Sequence, residues 1–157
     1  DVDLYVSSID PSWAAMAVVY QQHAASAGIR VNIVQASADG YWTEVWMKKD
    51  AFATSWGERP ADQALNEAFH SEAKWNESHF SDPEFDRKLA RARKALEFEE
   101  RRDYYVHAQE YLAEQSGTLI PYHRTQLVGL SPRVGNLDAV KGDRVRWHLV
   151  EVEGGDS

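Results

Sequence analysis

Trp56, Gly57, Glu58 and Arg59 stand in a row just before Pro60. An indole offers a large rigid face for stacking. A carboxylate can hold an amine, and a guanidinium fork suits a carboxylate. Together these types point to non-covalent recognition of a small solute rather than to bond making. The competing reading is a surface turn in which Glu58 or Arg59 forms an exposed ion pair worth little. A second aromatic–amide pair, Trp75 and Asn76, lies in the polar run HSEAKWNESHF. There the indole can stack and the amide can both donate and accept, or the Trp can anchor a loop that the Asn caps. Tyr41 and Trp42 are weaker candidates for the same wall, and Trp42 reads first as core.

Covalent and metal chemistry find little support. The chain has six histidines and no cysteine, so thiol nucleophiles, thiolate metal sites and disulfides are excluded. No two histidines stand in metalloprotease spacing, and no nucleophile elbow, phosphate loop or dinucleotide fingerprint occurs. His70, Glu72, Glu77 and His79 fall close together, which reads first as a solvated polar loop and second as a metal site. No catalytic residue, metal or cofactor is assigned. An enzyme working through acids and His79 or His123 stays as an alternative, as does an interaction domain built on the tryptophans.

The totals set the frame. A length of 157 residues suits one domain with one sizeable core, and 43% hydrophobic with 27% charged residues argues against disorder. The net charge of -8, with Lys and Arg interleaved among acids between Arg87 and Arg102, argues against nucleic acid as a partner. No apolar run reaches the ~20 residues needed to span a bilayer. The start, DVDLYVSSID, lacks the basic and apolar regions of a signal peptide and opens almost at once on a strand, which predicts a piece of a longer chain. Six tryptophans, several beside turn residues, are the compositional outlier.

The elements that would position these residues alternate. Val2 to Ile9 reads as a strand. Asp10 and Pro11 open a helix whose apolar stripe runs Trp13, Ala17, Tyr20, Ala24, Ala27, and Gly28 closes it. Ile29 to Val34 is a second strand and Ala51 to Trp56 a third, with a short helix at Tyr41 to Lys48 between them. Trp42, Val45 and Trp46 would share one face of that helix. Asp62 to Phe69 is helical. Ser81 with Glu84 has capping-box spacing before a helix bearing Phe85, Leu89, Ala92 and Leu96. Glu99 to Gln115 forms another, with Tyr105, Ala108 and Leu112 inward. Leu119 to Leu130 and Val145 to Val152 read as strands, separated by a turn-rich loop from Arg133 to Gly142 and followed by a flexible tail. This order predicts an α/β fold, a mixed and largely parallel sheet flanked by helices. Residues 1–118 would form the α/β binding lobe, and residues 119–157 the returning strands and tail. In such sheets ligands gather beyond the carboxyl ends of the strands, where Trp56 to Arg59 would lie.

The ordered set AGIRVNI, YW, SWG, WNES, DPEFD, AQE and LIP, closing on GNLDAVKGDRVRWHLVEV, resembles the carboxyl-terminal part of family 5 solute-binding proteins. These are the extracytoplasmic receptors of ABC importers for oligopeptides, dipeptides, nickel complexes and some sugars. The resemblance covers nearly the whole chain. It implies one lobe of a type II periplasmic-binding fold and a non-enzymatic role. The solute, a peptide, amino-acid derivative or sugar acid, would be trapped against a missing amino-terminal lobe and handed to a membrane permease. It implies a periplasmic location, or an extracytoplasmic one on a lipoprotein anchor. The family places ligand contacts in the loop after the SW strand, where peptide-binding relatives carry an aspartate that pairs with the ligand's amino group. This chain departs there: Gly57, Glu58, Arg59 and Pro60 follow Trp56. Glu58 would take the amine role, whereas Arg59 points to an anionic group.

Overall fold

The computed structural model describes residues 1–125, 127–137 and 145–154. Two parallel strands and the helix between them open the chain: β1 (Val2–Ser7), α1 (Pro11–Ser26) and β2 (Val31–Ala36). β1 and β2 pair in register from Val2 opposite Val31 to Ser7 opposite Ala36. Parallel neighbours need a crossover, and α1 supplies it. Its start is encoded locally. The Asp10 side chain accepts from the Ser12 amide at 2.9 Å, and Pro11 takes the first helical position. Its end is a Schellman closure: the Ile29 amide donates to the Ala24 carbonyl and the Gly28 amide to the Ala25 carbonyl. That closure requires a left-handed residue, which Gly28 supplies at φ 77°.

Trp13, Ala17 and Ala24 of α1 are buried against Leu4, Val6 and Val31 of the strands, together with Tyr41, Val45 and Ala53. The alanines leave room for the helix to approach the sheet. Tyr20 packs at the edge of this core, while Ala27 is exposed because it sits at the C-cap.

A second core lies in the helical half. α2 (Ala61–Ala68) packs on α3 (Pro83–Lys94) and α4 (Phe98–Gln115), which pack on each other. Phe85, Leu89 and Ala92 face Tyr105, Ala108 and Leu112, with Leu65 of α2. Each fully buried Phe or Leu contributes about 1.5–3 kcal/mol. The cap of α3 is Asp82, whose carboxylate accepts from the Glu84 amide at 2.7 Å, and not Ser81. The reason is Pro83: a proline pushes the residue before it into extended backbone, which is the cap conformation, and Asp82 sits at φ -142°, ψ 111°. Leu96 lies beyond the end of α3 and is exposed, since Ala95 turns extended.

Four expected elements differ. The third strand is a single parallel bridge between Tyr5 and Phe52, held by Tyr5 N–H to Ala51 O and Ala53 N–H to Tyr5 O. Past it the chain turns away as Thr54 bonds to Glu77. The helix at Tyr41 to Lys48 is one π turn, Tyr41–Val45. Over 119–125 and 127–130 no ladder forms, and Leu119, Ile120, Leu127 and Val128 are exposed. The segment is tied to α1 by Tyr122 Oη donating to Ser12 Oγ at 3.1 Å and by Arg124 on Asp10 at 2.6 Å. The last expected strand is a 3-10 turn, Trp147–Leu149, followed by β4 (Glu151–Val152), antiparallel to β3 (Val134–Gly135). Residues 138–142 of the expected loop and 155–157 of the tail lie outside the described residues.

Candidate functional site

The run that leaves the Phe52 bridge forms one side of a solvent-open cleft of about 240 Å3. Thr54, Ser55, Trp56, Gly57 and Arg59 line it from this run, Trp42 and Trp46 from the π turn and its C-cap, and Trp75 and Glu77 from the polar loop between α2 and α3. The cleft therefore opens where the extended segment ends, at the carboxyl side of the parallel strands.

Its tryptophans meet edge to face. Trp56 and Trp75 have ring centroids 6.1 Å apart, and Trp42 and Trp46 are 5.8 Å apart. Such pairs contribute about 0.5–1.5 kcal/mol beyond their burial, so the walls are partly self-supporting. Glu77 joins the two sides. Its Oε1 accepts from the Trp46 indole N–H and from the Thr54 hydroxyl at 3.1 Å.

The cation of the cleft is already engaged. The Arg59 guanidinium lies 4.8 Å from the Trp56 ring centroid, its Nη1 donates to the Gly57 carbonyl at 3.1 Å, and its Nε is 3.4 Å from Glu67 Oε2. That carboxylate oxygen is buried and takes no hydrogen bond, so the guanidinium charge is its main compensation. Arg59 thus sets the plane of Trp56 and balances Glu67. A Cβ on Gly57 would make only ordinary contact, 3.9 Å from Arg59 Nη1, so a small side chain fits there.

Trp56, Gly57, Arg59 and Trp75 come together at this cleft; Glu58, Asn76 and Tyr41 do not. Glu58 is exposed and outside the lining. Asn76 is buried, and its amide bonds the carbonyls of His70 and Phe80 and accepts from the Phe80 amide, so it knots the loop that carries Trp75. Tyr41 is fully buried. Its hydroxyl donates to the Ala53 carbonyl at 2.6 Å, next to the Tyr5 carbonyl at 3.2 Å, and so props the extended run from behind. Burial above all pushes its phenol up to about 12, against the pull of the Ala53 hydrogen bond and with a push from the Glu77 charge. Trp42, expected in the core, is 46% exposed. On a one-turn helix Tyr41 and Val45 take the inward face and leave Trp42 outside.

Trp46, Thr54, Ser55 and Glu77 were not among the expected wall residues, and Trp42, a weak candidate, reads first as core. Trp42 and Trp46 stand four apart, which reads equally well as an inward or an outward pair, and Glu77 is one acid among 25 Asp and Glu. Among the described residues no group of three or more His, Cys, Asp or Glu is arranged to hold a metal ion, and no histidine lines the cleft. No helix among the described residues is long and apolar enough to cross a membrane.

The fold has known counterparts. The chain is similar to NikZ from Campylobacter jejuni, solved in complex with Ni(L-His), with a TM-score of 0.62 and 24% identity over 73% of this chain and 24% of that one. It is similar to the periplasmic murein tripeptide-binding protein MppA in its unliganded open form, with a TM-score of 0.64 and 20% identity over 73% of this chain and 22% of the other. DppA from Helicobacter pylori, an ABC transporter-associated periplasmic binding protein in complex with the peptide STSA, gives a TM-score of 0.60 and 22% identity over 73% and 23%. No protein-family model matches the chain, and no curated protein does. The fold is thus that of one portion of the ABC solute-binding proteins, as the motif order implied. The chain spans about a quarter of the length of the solved chains it matches.

Proposed function

We propose that the chain is a substrate-binding lobe of an ABC-type importer receptor, which captures a peptide or similar small solute against a second lobe of the same protein. The observation that carries this reading is the tryptophan-lined cleft at the carboxyl side of the parallel strands, within a fold of this kind. Rigid aromatic walls bury apolar ligand surface at low entropic cost. Closure of two lobes then excludes water, and the closed form is what a membrane permease recognises. Trp56, Gly57, Arg59 and Trp75 are ligand-wall residues in this reading, with Trp42, Trp46 and Glu77 added. Asn76, behind the loop, holds the wall rather than the solute. The role is capture without chemistry, at a periplasmic or other extracytoplasmic location.

The test uses the two-lobed protein that contains this chain. It is melted with pooled di- and tripeptides, amino-acid derivatives and sugar acids. A solute that binds only the folded form at ~100 times its dissociation constant adds about 2.7 kcal/mol of stability, which moves the melting temperature measurably. The 157-residue chain alone should bind the same solute at least tenfold more weakly, because half the contacts are missing. If no pool shifts the melt, capture is wrong. Equal affinity of the lone chain and the two-lobed protein would overturn the half-site reading.

A further inference from the structure

Arg59 is pulled in two directions. Toward the cleft, its guanidinium covers the Trp56 ring at 4.8 Å from the centroid, and its Nη1 donates to the Gly57 carbonyl at 3.1 Å. Toward α2, its Nε lies 3.4 Å from Glu67 Oε2, an ion pair without a hydrogen bond. A completed guanidinium–carboxylate bond is about 2.7–2.9 Å long, so this pair is stretched. Glu67 is the fixed member. Gln63, one turn earlier on α2, donates to its Oε1 at 3.0 Å. Oε2 is left buried and unbonded among the described residues. A dry carboxylate oxygen without a donor is costly, and a guanidinium is the donor that suits it best. The gap to be closed is only roughly half an ångström.

We infer that Arg59 is a gate over the Trp56 face, with Glu67 as its second seat. In the empty cleft the guanidinium lies on the ring. When a solute takes that face, the guanidinium turns toward α2 and completes its bond to Glu67. This inference rests on the capture reading and names a regulation of the same site. The exchange keeps the cation beside a carboxylate in both positions, so neither charge is stranded. The cation–π contact that is given up is offset by the completed ion pair, which keeps the two positions close in free energy. The gate also makes the wall selective, because a solute must cover Trp56 better than the guanidinium does. Glu67 and Gln63 act on the wall through Arg59, so they are positioning residues.

The experiment follows the 157-residue chain by NMR during titration with benzyl alcohol, a neutral probe able to cover an indole face. Two signals are read: the Trp56 indole N–H, and the Arg59 side-chain protons, which the ring current of Trp56 holds upfield in the empty chain. The expected result is a saturable Trp56 shift and a downfield return of the Arg59 signals with the same midpoint. Glu67→Gln keeps an acceptor for Gln63 and removes the charge of the second seat; it should weaken the probe by roughly threefold or more. The double variant Arg59→Gln, Glu67→Gln removes the gate and its seat together and leaves no buried charge unpaired. It should bind the probe roughly threefold or more tightly than the parent. A Trp56 shift with the Arg59 signals unmoved overturns the inference, because Arg59 is then a static strut. A double variant that binds no more tightly than the parent overturns it too, as does the lack of a Trp56 shift in all three proteins. The two readings fail separately. If solute pools shift the two-lobed melt while Arg59 stays on Trp56 with the probe bound, the gate falls and capture stands. If Arg59 leaves Trp56 for the probe while no pool shifts that melt, capture falls.

Discussion

Tyr41→Phe isolates the prop behind the cleft. The ring stays, so the volume of the core is kept and no cavity opens. What is lost is the hydroxyl that donates to the Ala53 carbonyl at 2.6 Å. Among the described residues that carbonyl has no other donor, whereas the Tyr5 carbonyl keeps the Ala53 amide at 2.9 Å. Ala53 is itself buried, so its carbonyl is left dry and unpaired. Leaving a buried acceptor unsatisfied costs about 1–3 kcal/mol. In a chain of this length each kcal/mol moves the melting temperature by about 2–4 °C, which gives an expected fall of roughly 2–12 °C. The assay is thermal and urea unfolding followed by circular dichroism, with Tyr122→Phe as the control. Tyr122 bonds Ser12 at an exposed site, so its loss should stay within about 0.5 kcal/mol. A Tyr41→Phe melt within about 1 °C of the parent would refute the reasoning, because the predicted floor is larger than that.

Three further outcomes follow from the same contacts. Burial pushes Tyr41 and Tyr105 up to about 12, and the Asp82 hydrogen bond does the same for Tyr111. The folded values exceed the unfolded one near 10, so this stability is full below about pH 10 and is lost as pH rises through about 12. Melting temperatures should fall over that window, less steeply in Tyr41→Phe, and phenolate absorbance should show a late component that vanishes on unfolding. The Arg93 guanidinium, opposed by burial and helped by Tyr105, holds the Asp62 carboxyl below its ordinary value of 3.8. Its stabilisation is present above about pH 4 and lost as pH falls further, so urea midpoints should drop on acidification and drop less in Asp62→Asn. Asp10→Ala removes the cap of α1 and the partner of Arg124; it should cost about 0.5–2 kcal/mol by urea unfolding, most of it retained in an Asp10→Asn variant that still caps.

The prediction for Tyr41 also shows where reading the chain stops. As a residue type, a tyrosine beside a tryptophan looks like a binding wall. Its place 12 residues before Ala53 makes it a strut instead, because the hydroxyl must find a buried partner and that carbonyl is the one in reach. Asn76 follows the same logic: an amide that can bind a solute is spent on the carbonyls of His70 and Phe80. The β-like composition of 119–130 reads as strand, yet composition does not supply a pairing partner, and its described residues join neither sheet.

What the order of residues determined by itself is local. Asp10 with Pro11 starts α1 and Gly28 ends it, since a cap and a left-handed turn are satisfied within a few residues. The inward faces of α3 and α4 also follow from spacing alone, as Leu89 with Ala92 and Ala108 with Leu112 recur at the helical period. Only the tertiary structure decided which tryptophans share a wall, that Arg59 turns onto Trp56 and Glu67, and that Glu77 reaches Trp46 across 31 residues. Those pairings depend on how two separate cores lie against each other, and contact between distant segments leaves no period in the chain to read.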